Sequence, residues 1–375
     1  MSSQAGQTII RNYDKYLPRL SLKKPRHALL SYLTEPVVSD LRGEKLVRFS
    51  NHGLAVGWAK TLNKLGYIVD IIDWDNKSYS SAKDYDLVIF HGGKNFSNIM
   101  PALKNHPKII HWLTGSYWKF NNSQEDKRLK DFARRHGVTV ARDRYIYESE
   151  DEVNEAAEAI IVLGDPTMKE TYPSKYKKVL TVNNASYPDD HFDTHKKNYG
   201  QAKNNFLFFA GSGNIHKGLD LLIDSFKDLD EHLYIVAHTD KDVLRVFKKE
   251  LERPNIHLFG EVGMRTDPFY EVMNTCAFVI LPSCSEGQAG SVIEAMNQGL
   301  IPIVSKETRL DTKNYGFTLL KSSIQEIRQT VLQAASMSAD EVRALSRRTR
   351  RVALKDHSSK SFENQLKKAI LVALR

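Results

Sequence analysis

The segment Ala277-Phe-Val-Ile-Leu-Pro-Ser-Cys-Ser-Glu-Gly-Gln-Ala-Gly-Ser-Val-Ile-Glu-Ala-Met-Asn-Gln-Gly299 joins an apolar run to a helical pattern through a glycine turn. Its opening residues resemble a buried strand, and Val292–Gly299 reads as a helix that ends at glycine. Such a junction exposes backbone N–H groups at a helix N-terminus, where phosphate binds. Glu286 and Glu294 flank the turn, so they can hold hydroxyl groups of the molecule that carries the phosphate.

A second junction of the same kind is Phe206-Leu-Phe-Phe-Ala-Gly-Ser-Gly-Asn-Ile-His-Lys-Gly218. Gly211, Ser212 and Gly213 are small enough for a ligand to approach the backbone. Lys217 offers a cation for a diphosphate. These residues alone leave open the alternative of an ordinary strand–loop–helix connection.

Strands and helices alternate in two blocks, separated at Tyr187–Asn205 by a stretch typical of a linker. The pattern predicts an α/β protein with two doubly wound, Rossmann-like domains facing across a cleft. We expect an N-terminal arm over residues 1–25 and a first Rossmann-like domain over 26–195. A second Rossmann-like domain is expected over 196–355, followed by a helix over 356–375 that returns to the first domain.

The composition is that of an ordinary globular protein. The chain has 375 residues, of which 41% are hydrophobic and 26% charged. It lacks an apolar stretch of about 18 residues and a secretory signal pattern. Its two cysteines, Cys276 and Cys284, favour neither a disulfide framework nor a cysteine zinc site. We therefore expect a cytoplasmic location.

The net charge of +9 arises from the first 150 and the last 75 residues, because residues 151–300 are acidic. Basic stretches at Lys127–Arg135 and Arg347–Arg351 predict a surface for anionic membrane lipid at the inner face of the membrane. Solvated helix faces are the open alternative. A nucleic-acid partner is not expected, since the basic stretches lack interleaved aromatic residues on a recognisable module.

With these motifs identified, the second block resembles the nucleotide-sugar domain of retaining GT-B glycosyltransferases of the family-4 type, the glycosyl transferases group 1. The resemblance is carried by the basic pair before Gly218, by Pro282-Ser-Cys-Ser-Glu-Gly287 and by the Glu286-x7-Glu294 spacing. It is close over about Asn205–Ser305 and looser in the first block.

The resemblance implies a role for each donor-site residue. Glu294 would hold the ribose hydroxyls, and Glu286 would bind hydroxyls of the transferred sugar. Lys217 would neutralise the departing diphosphate, which the backbone at Gly290 and Ser291 would cradle. We therefore expect the ammonium group and the two acids to surround one hollow.

His216 stands where many members of that family have arginine. This departure weakens its assignment to the donor phosphates, because imidazole is only partly charged at neutral pH.

The first block is expected to bind the acceptor. His111 is the candidate for the histidine that the family often places near the transferred sugar; Thr114 or a purely structural histidine are alternatives. Asn51 and Gly53 open the first helix and are cleft candidates. Arg142 is a candidate for an anionic acceptor, with a surface ion pair as the alternative.

The motifs together predict a retaining, metal-independent glycosyltransferase that moves a hexose from a nucleoside-diphosphate sugar to a glycan, lipid-linked or other acceptor, without a cofactor. Asp73-Trp74-Asp75 matches a metal-binding Asp-x-Asp pattern, but a polar strand end is favoured because the motif is far in sequence from the phosphate loop. The alternatives are an epimerase or synthase on the same fold, or a non-catalytic basic binding protein.

Overall fold

A computed structural model describes residues 9–18, 25–39, 46, 50–77, 79–80, 83–189, 193 and 195–375. The chain forms two compact units. The first unit comprises the described residues up to Trp118, Tyr147–Ala185 and Ser359–Arg375. The second comprises Lys119–Ile146 and Ser186–Ser358. Residues 119–146 thus group with the second unit, although the sequence predicted one continuous first domain over 26–195.

Strands and helices alternate within the described residues. The strands are β1 (Ile9–Tyr13), β2 (Arg26–Tyr32), β3 (Tyr67–Asp73), β4 (Leu87–His91), β5 (Lys108–Leu113), β6 (Ala159–Leu163), β7 (Val179–Val182), β8 (Asn205–Phe209), β9 (His232–Val236), β10 (Ile256–Gly260), β11 (Phe278–Leu281), β12 (Ile301–Ser305) and β13 (Phe317–Leu319). The helices are α1 (Glu35–Val38), α2 (Ser50–Lys64), α3 (Phe96–Ile99), α4 (Trp118–His136), α5 (Asp151–Ala156), α6 (Tyr199–Ala202), α7 (Leu219–Phe226), α8 (Lys241–Val246), α9 (Lys248–Leu251), α10 (Asp267–Thr275), α11 (Gly290–Asn297), α12 (Ile324–Ala335), α13 (Ala339–Asp356) and α14 (Ser359–Ala373). Short 3-10 helices occupy Met100–Ala102, Pro166–Thr171 and Lys306–Thr308.

The first unit contains a seven-stranded sheet in the order β1-β3-β2-β4-β5-β6-β7. All neighbouring strands are parallel except β1, which pairs antiparallel with β3. Strand β6 is apolar and buried along its whole length, as expected for a parallel sheet covered on both faces. The second unit contains a fully parallel sheet in the order β10-β9-β8-β11-β12-β13. The predicted α/β class with two Rossmann-like sheets is confirmed.

The expected N-terminal arm contains an edge strand instead. Residues Ile9–Tyr13 form β1, and Ile9 lies opposite Ile72 of β3. The fully buried carboxylate of Asp70 secures this strand, because it accepts the Asn12 N–H at 2.8 Å. Residues 1–8 and 19–24 of the predicted arm lie outside the described residues. This pairing was missed because it joins segments that are distant in sequence.

The terminal helix α14 packs against α2 in the first unit. Phe362 is almost fully buried and lies 6.1 Å from Trp112 between ring centroids. A Cβ on Gly57 would lie only 2.9 Å from the Phe362 ring, so glycine at this position allows the two helices to approach closely. In the described part of the chain, no helix is long and apolar enough to cross a membrane.

We expect Phe362→Ala to destabilise the protein by about 3–5 kcal/mol, because it leaves a cavity beside Trp112 and Gly57. Leu371→Ala on the same helix is the matched control, since that side chain is 44% exposed and its truncation leaves no internal cavity. Chemical denaturation monitored by circular dichroism measures both changes. Equal losses of unfolding free energy in the two variants would contradict this packing.

Candidate functional site

The two glycine junctions follow neighbouring strands of the second sheet. Strands β8 and β11 lie side by side, although β9, β10 and four helices separate them along the chain. The chain continues from β8 outward to β9 and from β11 outward to β12. This reversal opens a crevice at the carboxyl ends of the two strands, which is where ligands bind in such sheets. The segments Gly211–Gly218 and Pro282–Ala289 therefore meet at one place.

The two loops are in direct contact at Gly218. Its φ of +80° is one that side-chain-bearing residues rarely adopt. A Cβ at this position would also lie 2.6 Å from the carbonyl oxygen of Pro282. Within the first loop, the N–H of Lys217 donates to the carbonyl of Gly213 at 2.8 Å. This compact turn directs the chain into α7.

Arg128 of α4 joins the same loops from outside. Its guanidinium donates to the carbonyl oxygens of Ile215, at 3.4 Å, and Pro282, at 3.1 Å. Neither carbonyl is used by a strand ladder, so one arginine satisfies an acceptor in each loop. The sequence analysis placed this residue in a membrane-facing basic stretch, but it is half-buried in the second unit.

Other residues of the basic stretch are also internal. The Arg135 guanidinium contacts the carboxylates of Asp220 and Asp224 on α7, of which Asp220 is fully buried. Phe132 is fully buried in the core of the second unit. Arg128, Phe132 and Arg135 of α4 therefore pack within the second unit, whereas Lys127, Lys130 and Arg134 are exposed.

Lys217 and Glu286 form an ion pair. The ammonium nitrogen of Lys217 lies 3.6 Å from Glu286 Oε1, and both side chains are largely buried. Ser283 donates its hydroxyl to the same oxygen at 3.2 Å. Burial raises the pKa of the Glu286 carboxyl, but Lys217 and the neighbouring cations outweigh it and hold the pKa below its ordinary value. Glu286 is therefore an ionised carboxylate beside a cation at the crevice.

His216 is a structural link between the loops. Its Nε2 donates to the carbonyl of Ser285 at 2.7 Å, and its own carbonyl accepts the N–H of Cys284 at 2.9 Å. Burial lowers the pKa of the imidazole, and this exceeds the opposing attraction of Glu286. The residue that replaces the family's arginine is thus neutral at pH 7.

Glu294 belongs to a different ion pair. Its Oε1 accepts from Arg265 Nε at 2.8 Å, and its Oε2 accepts the Ser186 hydroxyl at 2.6 Å. Arg265 also donates to the carbonyl of Tyr187 at 2.6 Å. The Arg265–Glu294 ion pair is separate from the Lys217–Glu286 pair.

The N-terminus of α11 begins at Gly290. Ala289 precedes it without a side-chain cap, and its carbonyl accepts the N–H groups of Val292 and Ile293. In an α-helix the earlier N–H groups, here those of Gly290 and Ser291, have no partner within the helix. These are the groups that the sequence analysis assigned to phosphate binding.

The first-unit candidates lie in three settings. His111 is a fully buried residue inside β5, not at the strand end, and its Nδ1 hydrogen-bonds Asn154 at 2.8 Å. Burial lowers the pKa of its imidazole to about 4. Thr114, directly after β5, is half-buried. Asn51 is exposed and Gly53 half-buried, both in the first turn of α2.

Arg142 forms the surface ion pair that was the alternative to acceptor binding. Its Nε lies 2.8 Å from Asp126 Oδ1, and its guanidinium stacks over Tyr145. Arg144, two positions later, packs against Gly213 of the glycine loop instead. The sequence does not distinguish these two arginines, because what separates them is a contact with a loop about seventy residues away. Arg128, Arg265 and Ser186 were missed for the same reason.

A cavity of about 540 Å³ also lies in the second unit. It is lined by residues of α4, α7 and the start of α12, and includes Arg128 and Cys284 but not Lys217, Glu286 or Glu294. Among the described residues, no group of three or more His, Cys, Asp or Glu side chains could hold a metal ion. Asp73 of the Asp-x-Asp motif accepts the Thr34 hydroxyl at 2.5 Å.

Two family models match the chain. The model described as glycosyl transferases group 1 matches residues 204–336, which include both glycine junctions. The model described as polysaccharide pyruvyl transferase matches residues 51–260. A curated relative, an uncharacterized glycosyltransferase of Methanocaldococcus jannaschii, is 28% identical over 99 residues. That alignment covers 26% of this chain and 28% of the relative, so the chain matches less than a third of the relative's length.

Solved structures share the architecture. Sucrose-phosphate synthase from Thermosynechococcus elongatus is 12% identical with a TM-score of 0.63, over 94% of this chain and all of that one. Anabaena HepE, solved with UDP-glucose, is 12% identical with a TM-score of 0.54, over 93% of this chain and all of that one. S. aureus TarM, solved with Fondaparinux, alpha-GlcNAc-glycerol and UDP, is 14% identical with a TM-score of 0.55, over 76% of this chain and 55% of TarM. At these identities the likeness concerns the fold.

The buried, neutral state of His216 predicts a pH dependence of stability. The pKa of His216 in the folded protein lies below the ordinary 6.5. Its contribution to the free energy of unfolding is therefore fully present above pH 6.5 and is lost as the pH falls. We expect His216→Gln, which keeps an N–H donor for Ser285, to lose less stability than wild type between about pH 7.5 and about pH 5.5. His238→Gln, at an exposed position, should follow wild type. Thermal melting at both pH values measures the difference, and identical losses in all three proteins would refute it.

Proposed function

The chain belongs to the glycosyl transferases of group 1 with a GT-B fold, and from this premise we propose that it transfers a hexose from a nucleoside-diphosphate sugar to an acceptor. Residues 51–260 also belong to the polysaccharide pyruvyl transferase family. The observation that carries the proposal is the Lys217–Glu286 ion pair at the crevice between β8 and β11. It lies between a glycine loop and the loop that leads into the free N-terminus of α11.

The proposed donor-site chemistry follows from where charge develops. Breaking the bond between the anomeric carbon and the phosphate oxygen leaves positive charge on the sugar ring and negative charge on the diphosphate. The Lys217 ammonium group and the N–H groups of Gly290 and Ser291 stabilise the negative charge. Glu286 accepts hydrogen bonds from sugar hydroxyls and favours the positive ring. A cation and a helix N-terminus at the diphosphate make a metal ion or another cofactor dispensable.

We propose that the reaction retains the anomeric configuration. The acceptor oxygen forms a bond to the anomeric carbon on the face from which the diphosphate leaves. The acceptor's proton passes to the leaving phosphate oxygen, so the step needs no enzymic nucleophile or separate base. The buried, hydrogen-bonded state of His111 supports this route, since a neutral imidazole with a pKa near 4 is a weak base.

Glu294 is proposed to hold the ribose hydroxyls. Arg265 and Ser186 each occupy one of its oxygens, but a carboxylate oxygen can accept more than one hydrogen bond. The ion pair would then orient the carboxylate before the donor binds. Gly211, Ser212 and Gly213 have small side chains and would let the donor contact the loop backbone at the opposite side of the crevice.

The acceptor is proposed to be a glycan or a lipid-linked molecule. TarM was solved with alpha-GlcNAc-glycerol, which supports a hydroxylated acceptor for a protein of this fold. Exposed Arg347, Arg348 and Arg351 on α13 support contact with anionic lipid at the cytoplasmic face of a membrane. Asn51, Gly53 and Thr114 remain the acceptor-side candidates.

Pyruvyl transfer to a polysaccharide is a second candidate, because the corresponding family model matches more than half of the chain. That match ends at residue 260, before Glu286 and Glu294. It therefore does not include the carboxylates on which hexosyl transfer depends, and we favour hexosyl transfer.

We expect Lys217→Ala to weaken nucleoside-diphosphate binding about tenfold or more, because it removes a charged hydrogen bond to the diphosphate. Glu286→Gln should bind the nucleoside diphosphate normally but turn over the sugar donor more slowly. Glu294→Gln should weaken binding of the nucleoside part. Calorimetric titration measures the affinities of the three variants, and the rate of nucleoside-diphosphate release measures turnover of the sugar donor. Lys249→Ala, at an exposed position, is the control. Wild-type affinity in both Lys217→Ala and Glu294→Gln would defeat the site assignment.

Product analysis separates the activities. Purified protein is incubated with UDP-, GDP- and ADP-sugars labelled in the sugar, with and without candidate acceptors, and separately with labelled phosphoenolpyruvate as a pyruvyl donor. We expect label to move from a nucleotide sugar to an acceptor, or slowly to water, with the anomeric configuration retained in the product. Label transferred only from the pyruvyl donor would overturn the proposed function, and an isomerised nucleotide sugar would indicate an epimerase.

A further inference from the structure

The charge balance at the glycine loop leaves the donor diphosphate short of a cation. His216, the first residue of the basic pair before Gly218, is neutral and donates its N–H to the carbonyl of Ser285. The remaining cation, Lys217, is paired with Glu286. A diphosphate arriving here would thus meet, from the loop itself, one ammonium group whose charge is already balanced by a carboxylate. The nearby Arg128 guanidinium already donates to the carbonyls of Ile215 and Pro282.

Arg144 lies directly against the glycine loop. Its Cγ and Cδ atoms are 2.7 and 2.9 Å from where a Cβ on Gly213 would stand. Gly213 has a φ of +89°, so both the turn and the packing of this arginine require the absence of a side chain. The aliphatic part of Arg144 therefore crosses the loop at the residue whose carbonyl accepts the Lys217 N–H.

Helix α4 holds Arg144 in this position through buried side chains. Glu125, almost fully buried, accepts the N–H groups of Asp143 and Arg144 at 2.9 and 2.8 Å. Asn121 donates to the carbonyl of Arg144 at 2.8 Å. The backbone of Arg144 is thus fixed on both sides, which fixes the point from which its side chain crosses the glycine loop.

The guanidinium of Arg144 is available for a ligand. The side chain is exposed, and none of the described carboxylates forms an ion pair with it. Arg142, by contrast, is paired with Asp126 and stacked on Tyr145. The charge of Arg144 also lowers the pKa values of Glu286 and His216, which places it within electrostatic reach of the candidate donor site.

We propose that Arg144 binds the donor diphosphate and supplies the second cation in place of the family's arginine at position 216. The inference rests on the proposed function and names a residue of its donor site. A guanidinium can donate two parallel hydrogen bonds to phosphate oxygens, a geometry that lysine does not reproduce. Residues 119–146 group with the second unit, and this grouping places the Arg144 cation beside the phosphate loop.

The test uses inorganic pyrophosphate, UDP, GDP and ADP as probes on the full chain, by calorimetry at low salt. Arg144→Ala should bind pyrophosphate, and the nucleoside diphosphate that wild type prefers, about tenfold or more weakly than wild type. Arg144→Lys should be intermediate, because it keeps the charge but loses the fork. Arg134→Ala removes an exposed arginine from α4, paired only with its neighbour Asp131 in the described chain, and should match wild type.

The corresponding nucleoside, which lacks phosphates, separates binding from a structural effect. Its affinity should be the same in wild type and Arg144→Ala, and the exposed side chain should leave the melting temperature unchanged. Wild-type pyrophosphate affinity in Arg144→Ala, or an equal loss for the nucleoside, would overturn the role of Arg144 while leaving the proposed function intact. If wild type binds none of the probes, the proposed function fails together with this inference.

Discussion

The contact between Gly218 and the carbonyl of Pro282 is the constraint around which the site is organised. A Cβ would lie 2.6 Å from that oxygen, so the two loops can touch only through glycine. The contact brings the turn after β8 against the turn after β11, and Arg128 donates to a carbonyl in each turn. Lys217 and Glu286, which belong to different loops, become neighbours as a result. The switch point of a parallel sheet supplies the crevice, and this contact brings a cation and a carboxylate together beside it.

Charge is distributed so that buried groups are compensated. Asp220 and Asp224 on α7 would be costly without a partner, and Arg135 supplies one from α4. The same helix carries Arg128 to the loops and holds the segment that bears Arg144. Arg128 and Arg135 of this basic stretch therefore attach residues 119–146 to the rest of the second unit. Lys127, Lys130 and Arg134 are the exposed cations of this stretch.

The two glutamates of the Glu-x7-Glu spacing differ in their surroundings. Glu286 follows a strand in a loop and faces a lysine, whereas Glu294 lies inside the first turns of α11 and faces an arginine. The difference follows from burial, because a carboxylate on an apolar helix must be balanced by a nearby cation or hydrogen-bond donors. Arg265 and Ser186 meet that need before any ligand is present.

The sequence by itself determined the fold class, most strand positions and the two glycine junctions, because apolar runs, glycine turns and helix stops are local signals. Through the family resemblance it also predicted that Lys217, Glu286 and Glu294 surround one hollow, and in the structure Lys217 pairs with Glu286. Only the tertiary structure decided that β1 is an edge strand, that His111 is enclosed, and that Glu294 pairs with Arg265. It also decided that Arg144, rather than Arg142, reaches the glycine loop. These outcomes depend on contacts between residues tens of positions apart. Neither residue type nor spacing shows which distant residue a side chain will contact.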